Sequence, residues 1–299
     1  MDQAEQLRKL VRENTVSQPS NPARVITVTS GKGGVGKSSI SVNLAIELAR
    51  MGKRVLVLDV DFGLANIEVM LGIRPEYNLA DMMYRGKNLT DIIIKGPEGI
   101  GFISGGSGIH ELTSLTRDQI LNLTSRLVEL DEMADIVIID TGAGITDAVL
   151  EFVSAGAEVL LVTTPEPTSI TDAYALLKTL NKKAEFSAED TCIKMIANRV
   201  TAKNEGRELF EKINMVVTKF LDFEMEYLGS IPQDEQVSKA IIRQKPVVLS
   251  MPDSGAGKAL RELAAKLAGA YAQTGEERKG IAHLFNNLLR TANRQKWNA

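Results

Sequence analysis

Cysteine is almost missing from this chain of 299 residues, which contains only Cys192. A single thiol excludes disulfides within the chain and also excludes metal or redox motifs that need paired cysteines. The sequence lacks an apolar run of about 18 residues, so no segment is predicted to span a membrane. Because MDQAEQLRKL has no apolar signal-peptide core, we expect the protein to act in the reducing cytoplasm.

Neither sign of charge dominates, because 35 Lys and Arg residues stand against 38 Asp and Glu residues, for a net charge of -3. This balance gives no global attraction to nucleic acid. Contact with an anionic surface would therefore require a local basic patch.

Changes in composition divide the chain into three parts. Residues 1–23 form a short charged segment followed by a linker rich in Ser, Asn and Pro. Residues 24–274 alternate β-branched apolar runs with amphipathic stretches, and the runs lie at 25–30, 55–59, 100–105, 136–140, 159–164, 192–200 and 227–232. This alternation predicts an α/β fold with a doubly wound, mainly parallel sheet. Residues 275–299 form a separate tail.

The strongest motif is GKGGVGKS, which lies between a predicted strand and a predicted helix. In that context GxxxxGK[ST] is a phosphate-binding loop, whose glycines let backbone N–H groups turn towards an anion. We expect Lys37 to bind the β- and γ-phosphates and Ser38 to ligate Mg²⁺. The predicted nucleotide-binding set is Gly31, Lys32, Gly33, Gly34, Val35, Gly36, Lys37, Ser38 and Ser39.

Three carboxylates follow buried strands, at the edge where a parallel sheet places its chemistry. Asp140 ends the run IVIID in the manner of a Walker B aspartate, which binds Mg²⁺. Asp59 and Asp61 end the run VLVLDVD. The alternative roles are a helix cap for Asp59 and a turn residue for Asp61.

The tail carries one apolar face at helical spacing, formed by Ile281, Leu284, Phe285, Leu288 and Leu289. Five Lys or Arg residues and no acid lie between Arg278 and the end. An amphipathic basic helix after a linker is typical of an anchor for anionic lipid. The alternative is a terminal helix packed on the core.

With its extra loop lysine, Lys32, the motif KGGVGKS resembles the deviant Walker A ATPases of the MinD/ParA family. The resemblance implies that ATP binding drives homodimer formation and that Lys32 reaches the partner's phosphates. It also implies that Asp61 orients the attacking water and Asp59 lies near Mg²⁺. By the same resemblance Asn198 reads the adenine edge, and Pro232 and Gln233 flank the base. The expected cofactors are thus ATP and Mg²⁺.

Three further stretches, DVDFGLANI, DTGAG and the N-terminal DQAEQLR, are similar to the flagellar FlhG (YlxH) subgroup of that family. This similarity implies a regulator of flagellar placement and number. It implies that Gln3, Leu7 and Arg8 activate an FlhF-type GTPase and that flagellar C-ring proteins are further partners. It also implies that the protein binds no specific nucleic acid and associates reversibly with the inner face of the cell membrane.

Other functions remain open at this stage. A ParA-like partition ATPase would use the basic tail on DNA, although DNA offers no burial for an apolar helix face. A MinD-like regulator of the division site and a metabolic P-loop enzyme are further alternatives. Iron–sulfur carriers of the superfamily are disfavoured, because a dimer would supply only two copies of Cys192.

Overall fold

A computed structural model describes residues 22–61, 66–106, 117–184, 186–274 and 279–295. Eight strands form one sheet: β1 (Arg24–Thr29), β2 (Val55–Asp59), β3 (Ile94–Lys95), β4 (Gly101–Ile103), β5 (Ile136–Asp140), β6 (Glu158–Thr163), β7 (Cys192–Val200) and β8 (Glu226–Pro232). The long strands are rich in Val and Ile, and their residues are mostly buried because helices cover both faces.

The strand order is β3-β4-β2-β5-β1-β6-β7-β8. All described pairings are parallel except that of β3 with β4. Strand β1 therefore lies at the centre, between β5 and β6, and the loop that follows it opens at the carboxyl edge of the sheet. This is where open α/β sheets bind ligands.

The described helices connect and cover the strands. They are α1 (Lys37–Arg50), α2 (Asn66–Leu71), α3 (Leu79–Tyr84), α4 (Leu89–Ile92), α5 (Arg117–Leu127), α6 (Leu130–Met133), α7 (Asp147–Ala155), α8 (Pro167–Asn181), α9 (Glu205–Leu221), α10 (Glu235–Ile242), α11 (Val247–Ser250), α12 (Gly255–Thr274) and α13 (Ile281–Gln295), with a 3₁₀ turn at Pro97–Gly99. None of these helices is long and apolar enough to cross a bilayer.

Three apolar clusters hold the layers together. One joins α1 and α12 to a face of the sheet, and another joins α7, α8 and α9 to strands β6 and β7. The third lies under α5 and α6 and includes Val137 and Ile139 of β5. Burial of apolar side chains on both faces is the main force that stabilises this arrangement.

Helix α13 belongs to the third cluster, since Ile281, Leu284, Phe285 and Leu288 are all buried there. The helix packs against α5, α6, α7 and β1. In this structure the apolar side chains of residues 281–288 therefore share the core of the domain that holds the sheet, and the boundary at residue 275 stays a prediction.

One buried carboxylate fixes the beginning of α13. Asp131 accepts hydrogen bonds from the backbone N–H groups of Ile281 at 2.9 Å and Ala282 at 3.4 Å. It also accepts one from Ala23 at 3.2 Å. A Cβ on Gly280 would lie 2.6 Å from the Asp131 carboxylate and 2.7 Å from Pro22 Cβ, so only glycine fits there. Asp131 thus joins the start of the described chain to its last helix.

The predicted doubly wound, mainly parallel α/β fold is confirmed. The seven predicted apolar runs correspond to β1, β2 and β4–β8 with small shifts at their ends. The sequence did not predict β3, whose two residues pair antiparallel at the sheet edge. The predicted activator residues Gln3, Leu7 and Arg8 lie outside the described residues.

Candidate nucleotide site

The loop after β1 forms a cradle that requires glycine at several positions. Gly34 and Gly36 have φ values of 77° and 100°, a region that favours glycine. A Cβ on Gly31 would lie 2.2 Å from the Asp172 backbone in α8, and one on Gly36 would lie 2.6 Å from Asn198 Nδ2. The loop is therefore packed closely against its neighbours and leads directly into α1, which begins at Lys37.

Helix α1 begins with no side-chain cap on its first N–H groups and no acidic residue in its first turn. Uncapped N–H groups at a helix N-terminus carry partial positive charge and bind phosphate well. The predicted loop residues thus surround a site suited to an anion, and the contacts of each one with phosphate remain predictions.

Lys37 and the three predicted carboxylates are brought together at this edge. Asp59 and Asp140 occupy paired positions on β2 and β5. The backbone N–H of Asp61 donates to Asp59 Oδ1 at 2.9 Å, and the charges of Asp61 and Asp140 both act on Lys37. Asp61 also faces the DTGAG stretch after β5, where its Oδ1 would lie 3.6 Å from a Cβ on Gly142.

Burial dominates the electrostatics of the cluster. Desolvation lowers the pKa of Lys37, although Asp140 and Asp61 oppose that shift. Desolvation raises the pKa of Asp140 to about 6 and, with repulsion from Asp140, raises the pKa of Asp59 well above its ordinary value. Burying two negatively charged carboxylates side by side destabilises the folded state unless a cation binds between them.

The donor set fits Mg²⁺. Ser41 Oγ donates to Asp140 Oδ1 at 2.8 Å, and the Ser38 hydroxyl, like Ser41, opposes the rise in the pKa of Asp140. Among the described residues, Asp140 Oδ2 is buried with no hydrogen-bond partner. Oxygen ligands of this kind are those that Mg²⁺ prefers. Ser38, Asp59 and Asp140 are therefore the residues that would hold it, directly or through water.

Lys32 has a different environment from Lys37. Its Nζ donates to Glu166 Oε2 at 2.8 Å and to Thr168 Oγ1 at 2.7 Å, and its side chain is 33% exposed. Glu166 and Thr168 lie at the beginning of α8. One lysine of the loop is thus buried beside the carboxylates, and the other lies at the surface.

Asn198 lies against the phosphate loop, where its Nδ2 donates to the Val35 carbonyl at 2.7 Å. Its Oδ1 accepts from the Arg199 N–H at 2.9 Å. Each end of the amide keeps a second hydrogen-bonding position, and the reading of an adenine edge stays a prediction. Pro232 and Gln233 lie at the end of β8 beside β7, and the Gln233 N–H donates to the Val200 carbonyl at 2.8 Å.

Sequence reasoning missed three residues of the site. Ser41 lies one helical turn after Ser38, a spacing that could have revealed it. Glu166 and Arg199 carried no such signal. Their contacts with the loop join residues more than 130 positions apart.

The predicted membrane face is not exposed in this structure. Ile281, Leu284, Phe285 and Leu288 are 0%, 2%, 1% and 6% exposed, and the side chain of Leu289 lies outside the described residues. The alternative of a terminal helix packed on the core thus describes this conformation, because the same apolar stripe finds its burial against α5 and α7.

Comparisons with known proteins agree with this geometry. Residues 21–268 match the ParA family, described as NUBPL iron-transfer P-loop NTPase. The chain is 43% identical over 247 residues to the antiactivator FleN of Pseudomonas aeruginosa, covering 83% of this chain and 87% of FleN. It is 32% identical over 272 residues to the flagellum site-determining protein YlxH of Helicobacter pylori, covering 89% and 90%.

Solved structures show the same fold. The MinC:MinD cell division complex of Aquifex aeolicus matches with a TM-score of 0.65 and 27% identity, over 83% of this chain and 96% of that chain. MinD of Pyrococcus horikoshii, solved with Mg-ADP, matches with a TM-score of 0.65 and 26% identity over 84% and 99%. The Mg-ADP bound to that relative agrees with the cradle and carboxylates described above.

Proposed function

The chain belongs to the ParA/MinD family of P-loop NTPases, and on that premise we propose that it is an ATP-dependent dimerising switch that regulates the placement and number of flagella. The flagellar assignment is supported by the similarity to FleN and YlxH over more than four-fifths of the chain. The switch is supported by one observation above all: Lys37 and three strand-end carboxylates meet beside the phosphate loop.

In the proposed hydrolysis, Lys37 and the first N–H groups of α1 hold the phosphates of ATP. Asp61 accepts a hydrogen bond from the attacking water and orients it towards the terminal phosphate. Mg²⁺, when bound, neutralises charge on the phosphate oxygens. Ser41 keeps Asp140 in position through its 2.8 Å hydrogen bond. Positioning and charge stabilisation account for most of the rate in this chemistry.

Dimerisation is proposed to act through Lys32. Its ammonium group lies at the surface, where it donates to the side chains of Glu166 and Thr168 at the beginning of α8. An exposed pair of this kind is worth little and is easily broken. When a second subunit presents its ATP, Lys32 leaves Glu166 and supplies positive charge to the partner's phosphates. Loss of the terminal phosphate removes this attraction, and the dimer separates.

Membrane binding is proposed to require release of α13 from the core. The residues that would enter lipid are those that now pack in the third cluster, so the helix is either docked or on the membrane. Two released helices in one dimer would bind a vesicle much more tightly than one, because the second binds at high effective concentration. The N-terminal segment would engage an FlhF-type GTPase, and C-ring proteins would be further partners.

The test measures dimerisation and vesicle binding together. Size-exclusion chromatography with light scattering and flotation on anionic vesicles are run with ATP, ADP and no nucleotide. Asp61→Ala should remain dimeric and vesicle-bound with ATP, because it retains ATP. Lys37→Ala should stay monomeric and unbound.

Three results would contradict the proposal. The first is an Asp61→Ala protein whose mass is the same in ATP and ADP. The second is vesicle binding that does not depend on nucleotide. The third is ATP-dependent capture by DNA with no affinity for vesicles, which would favour the partition alternative.

A further inference from the structure

Arg199 has an unusual backbone at the end of β7. Its φ is 60°, in the left-handed region that residues with a Cβ rarely adopt. Asn198 beside it accepts a hydrogen bond from its N–H at 2.9 Å. Backbone strain of this kind occurs often where a side chain must be aimed at a functional site, so the contacts of the guanidinium are informative.

The guanidinium of Arg199 reaches the phosphate loop. Its Nη2 donates to the Gly34 carbonyl at 2.7 Å, while Asn198 donates to the adjacent Val35 carbonyl at 2.7 Å. Two consecutive side chains of β7 therefore hold the outer arm of the loop. Among the described residues, no atom lies within 4 Å of the position that a Cβ on Gly34 would take, so the space beside this residue is open.

Arg199 also shares an anion with Lys32. Its Nη1 lies 4.0 Å from Glu166 Oε1, and Lys32 holds Oε2 of the same carboxylate at 2.8 Å. Both cations lower the pKa of Glu166, Lys32 more strongly, so this carboxylate is ionised at neutral pH. When Lys32 leaves, Glu166 loses its nearer partner and Arg199 is within reach to replace it.

We propose that Arg199 is a positioning residue that takes over Glu166 from Lys32 and so allows Lys32 to cross to the second subunit. The proposal rests on the proposed function, in which Lys32 acts across the dimer. Arginine suits this role because its fork can bind Gly34 and Glu166 together, whereas a lysine offers a single ammonium group. Without Arg199, Glu166 would retain Lys32 in the resting position.

The main test is a double-mutant cycle with Arg199→Ala and Glu166→Gln. Alanine removes the guanidinium but retains the Cβ, so the left-handed backbone is unchanged. An exposed ion pair changes an equilibrium by about twofold to fivefold. A symmetric dimer contains two such sites, so the factor is squared. The dimer dissociation constant should then change by about fourfold to 25-fold. Arg199→Ala should weaken the ATP-dependent dimer and lower kcat, with the dissociation constant for ADP changed by less than about twofold.

Glu166→Gln should tighten the ATP-dependent dimer, because Lys32 no longer has an anion to leave. In that background Arg199→Ala should have little further effect, since no carboxylate needs a replacement partner. Arg199→Lys should recover only part of the loss, because lysine retains the charge but cannot bind Gly34 and Glu166 together. The matched control is Arg207→Ala, an exposed arginine on α9 that pairs with Glu211 at 3.2 Å, and it should behave as the unmodified chain.

Two outcomes would overturn the inference even if Arg199→Ala weakens the dimer. One is that Arg199→Ala weakens the dimer equally in the unmodified chain and in the Glu166→Gln variant. That result would mean that Arg199 acts on the loop alone. The other is an ADP affinity that falls as much as dimerisation does. If Lys32→Ala also leaves the ATP-dependent dimer intact, the role of Lys32 in the proposed function fails. If Lys32→Ala abolishes the dimer and Arg199→Ala has no effect, only the role of Arg199 fails.

Discussion

Replacing Asp131 with alanine should release helix α13 from the core. The carboxylate accepts three backbone hydrogen bonds from two distant parts of the chain. Its loss would leave the N–H groups of Ile281 and Ala282 without an acceptor at the beginning of the helix. Unsatisfied donors at a helix N-terminus weaken the first turn, where the apolar face enters the third cluster.

The size of the effect follows from those contacts. A hydrogen bond to a charged acceptor contributes about 1.5 kcal/mol or more. The 2.9 Å bond from Ile281 counts fully and the 3.4 Å bond from Ala282 counts in part, whereas the bond from Ala23 does not involve α13 and is the same in the docked and undocked states. Burial raises the pKa of Asp131, which shows that desolvation of the carboxylate offsets part of this gain. A net loss of about 1.4 kcal/mol would raise the undocked population about tenfold.

Hydrogen exchange measured by mass spectrometry reports the undocked population directly. Peptides from residues 281–295 should exchange about tenfold faster in Asp131→Ala, with little change in peptides from β1 or α1. Binding to anionic vesicles without ATP should rise in parallel, because the released apolar face can enter lipid.

Asp131→Asn is the matched control. Its amide oxygen can replace Oδ1 and retain the bonds to Ala23 and Ile281, while the uncharged group avoids the cost of a buried carboxylate. We expect its exchange within about threefold of the unmodified chain. Equal exchange in the alanine variant and the unmodified chain would refute the role of Asp131 in fixing the helix. Faster exchange throughout the alanine variant would instead indicate general destabilisation of the fold.

Three other predictions use different parts of the molecule. Gly31→Ala should weaken nucleotide binding more than about tenfold as measured by calorimetry, because its Cβ would lie 2.2 Å from the Asp172 backbone and must displace the loop. Unchanged affinity would show that α8 can move to accommodate the Cβ. Ser41→Ala should lower kcat several-fold with little change in ADP affinity, since it frees Oδ1 of Asp140 from its 2.8 Å bond; an unchanged kcat would argue against that support. Cys192 should react with a thiol reagent at pH 8 about 100-fold more slowly than a free cysteine, because burial raises its pKa from 9.0 to about 11 and the thiolate is the reactive form; fast labelling of this single thiol would contradict it.

Much of the fold could be predicted from local sequence. The β-branched runs located seven strands, because buried parallel strands need apolar residues on both faces. The glycines and Lys37 predicted the phosphate loop because such a loop is specified by a short stretch of sequence. Its backbone conformation and one lysine are enough to form a phosphate-binding site. Strand β3 could not be predicted, because two residues carry no periodic pattern and pair only through the existing edge of β4.

The partners of surface groups were beyond local sequence. Nothing near Lys32 indicates that Glu166, 134 positions later, holds its ammonium group. The tail illustrates the same limit in another way. Its apolar face predicted burial correctly, but lipid and a groove in the protein satisfy that face equally well, so the sequence could not decide between them. A charged residue at Phe285 would for this reason disturb core packing as well as lipid binding, and cannot separate the two.

Strand β1 begins beside the Asp131 carboxylate, one residue after Ala23, and ends at the phosphate loop. Its six residues span only about 20 Å. The Asp131 contact, which joins both ends of the described chain, and the phosphate loop therefore lie at opposite ends of one central strand. Because β1 pairs with β5 on one side and β6 on the other, the sheet holds these two places at a fixed separation.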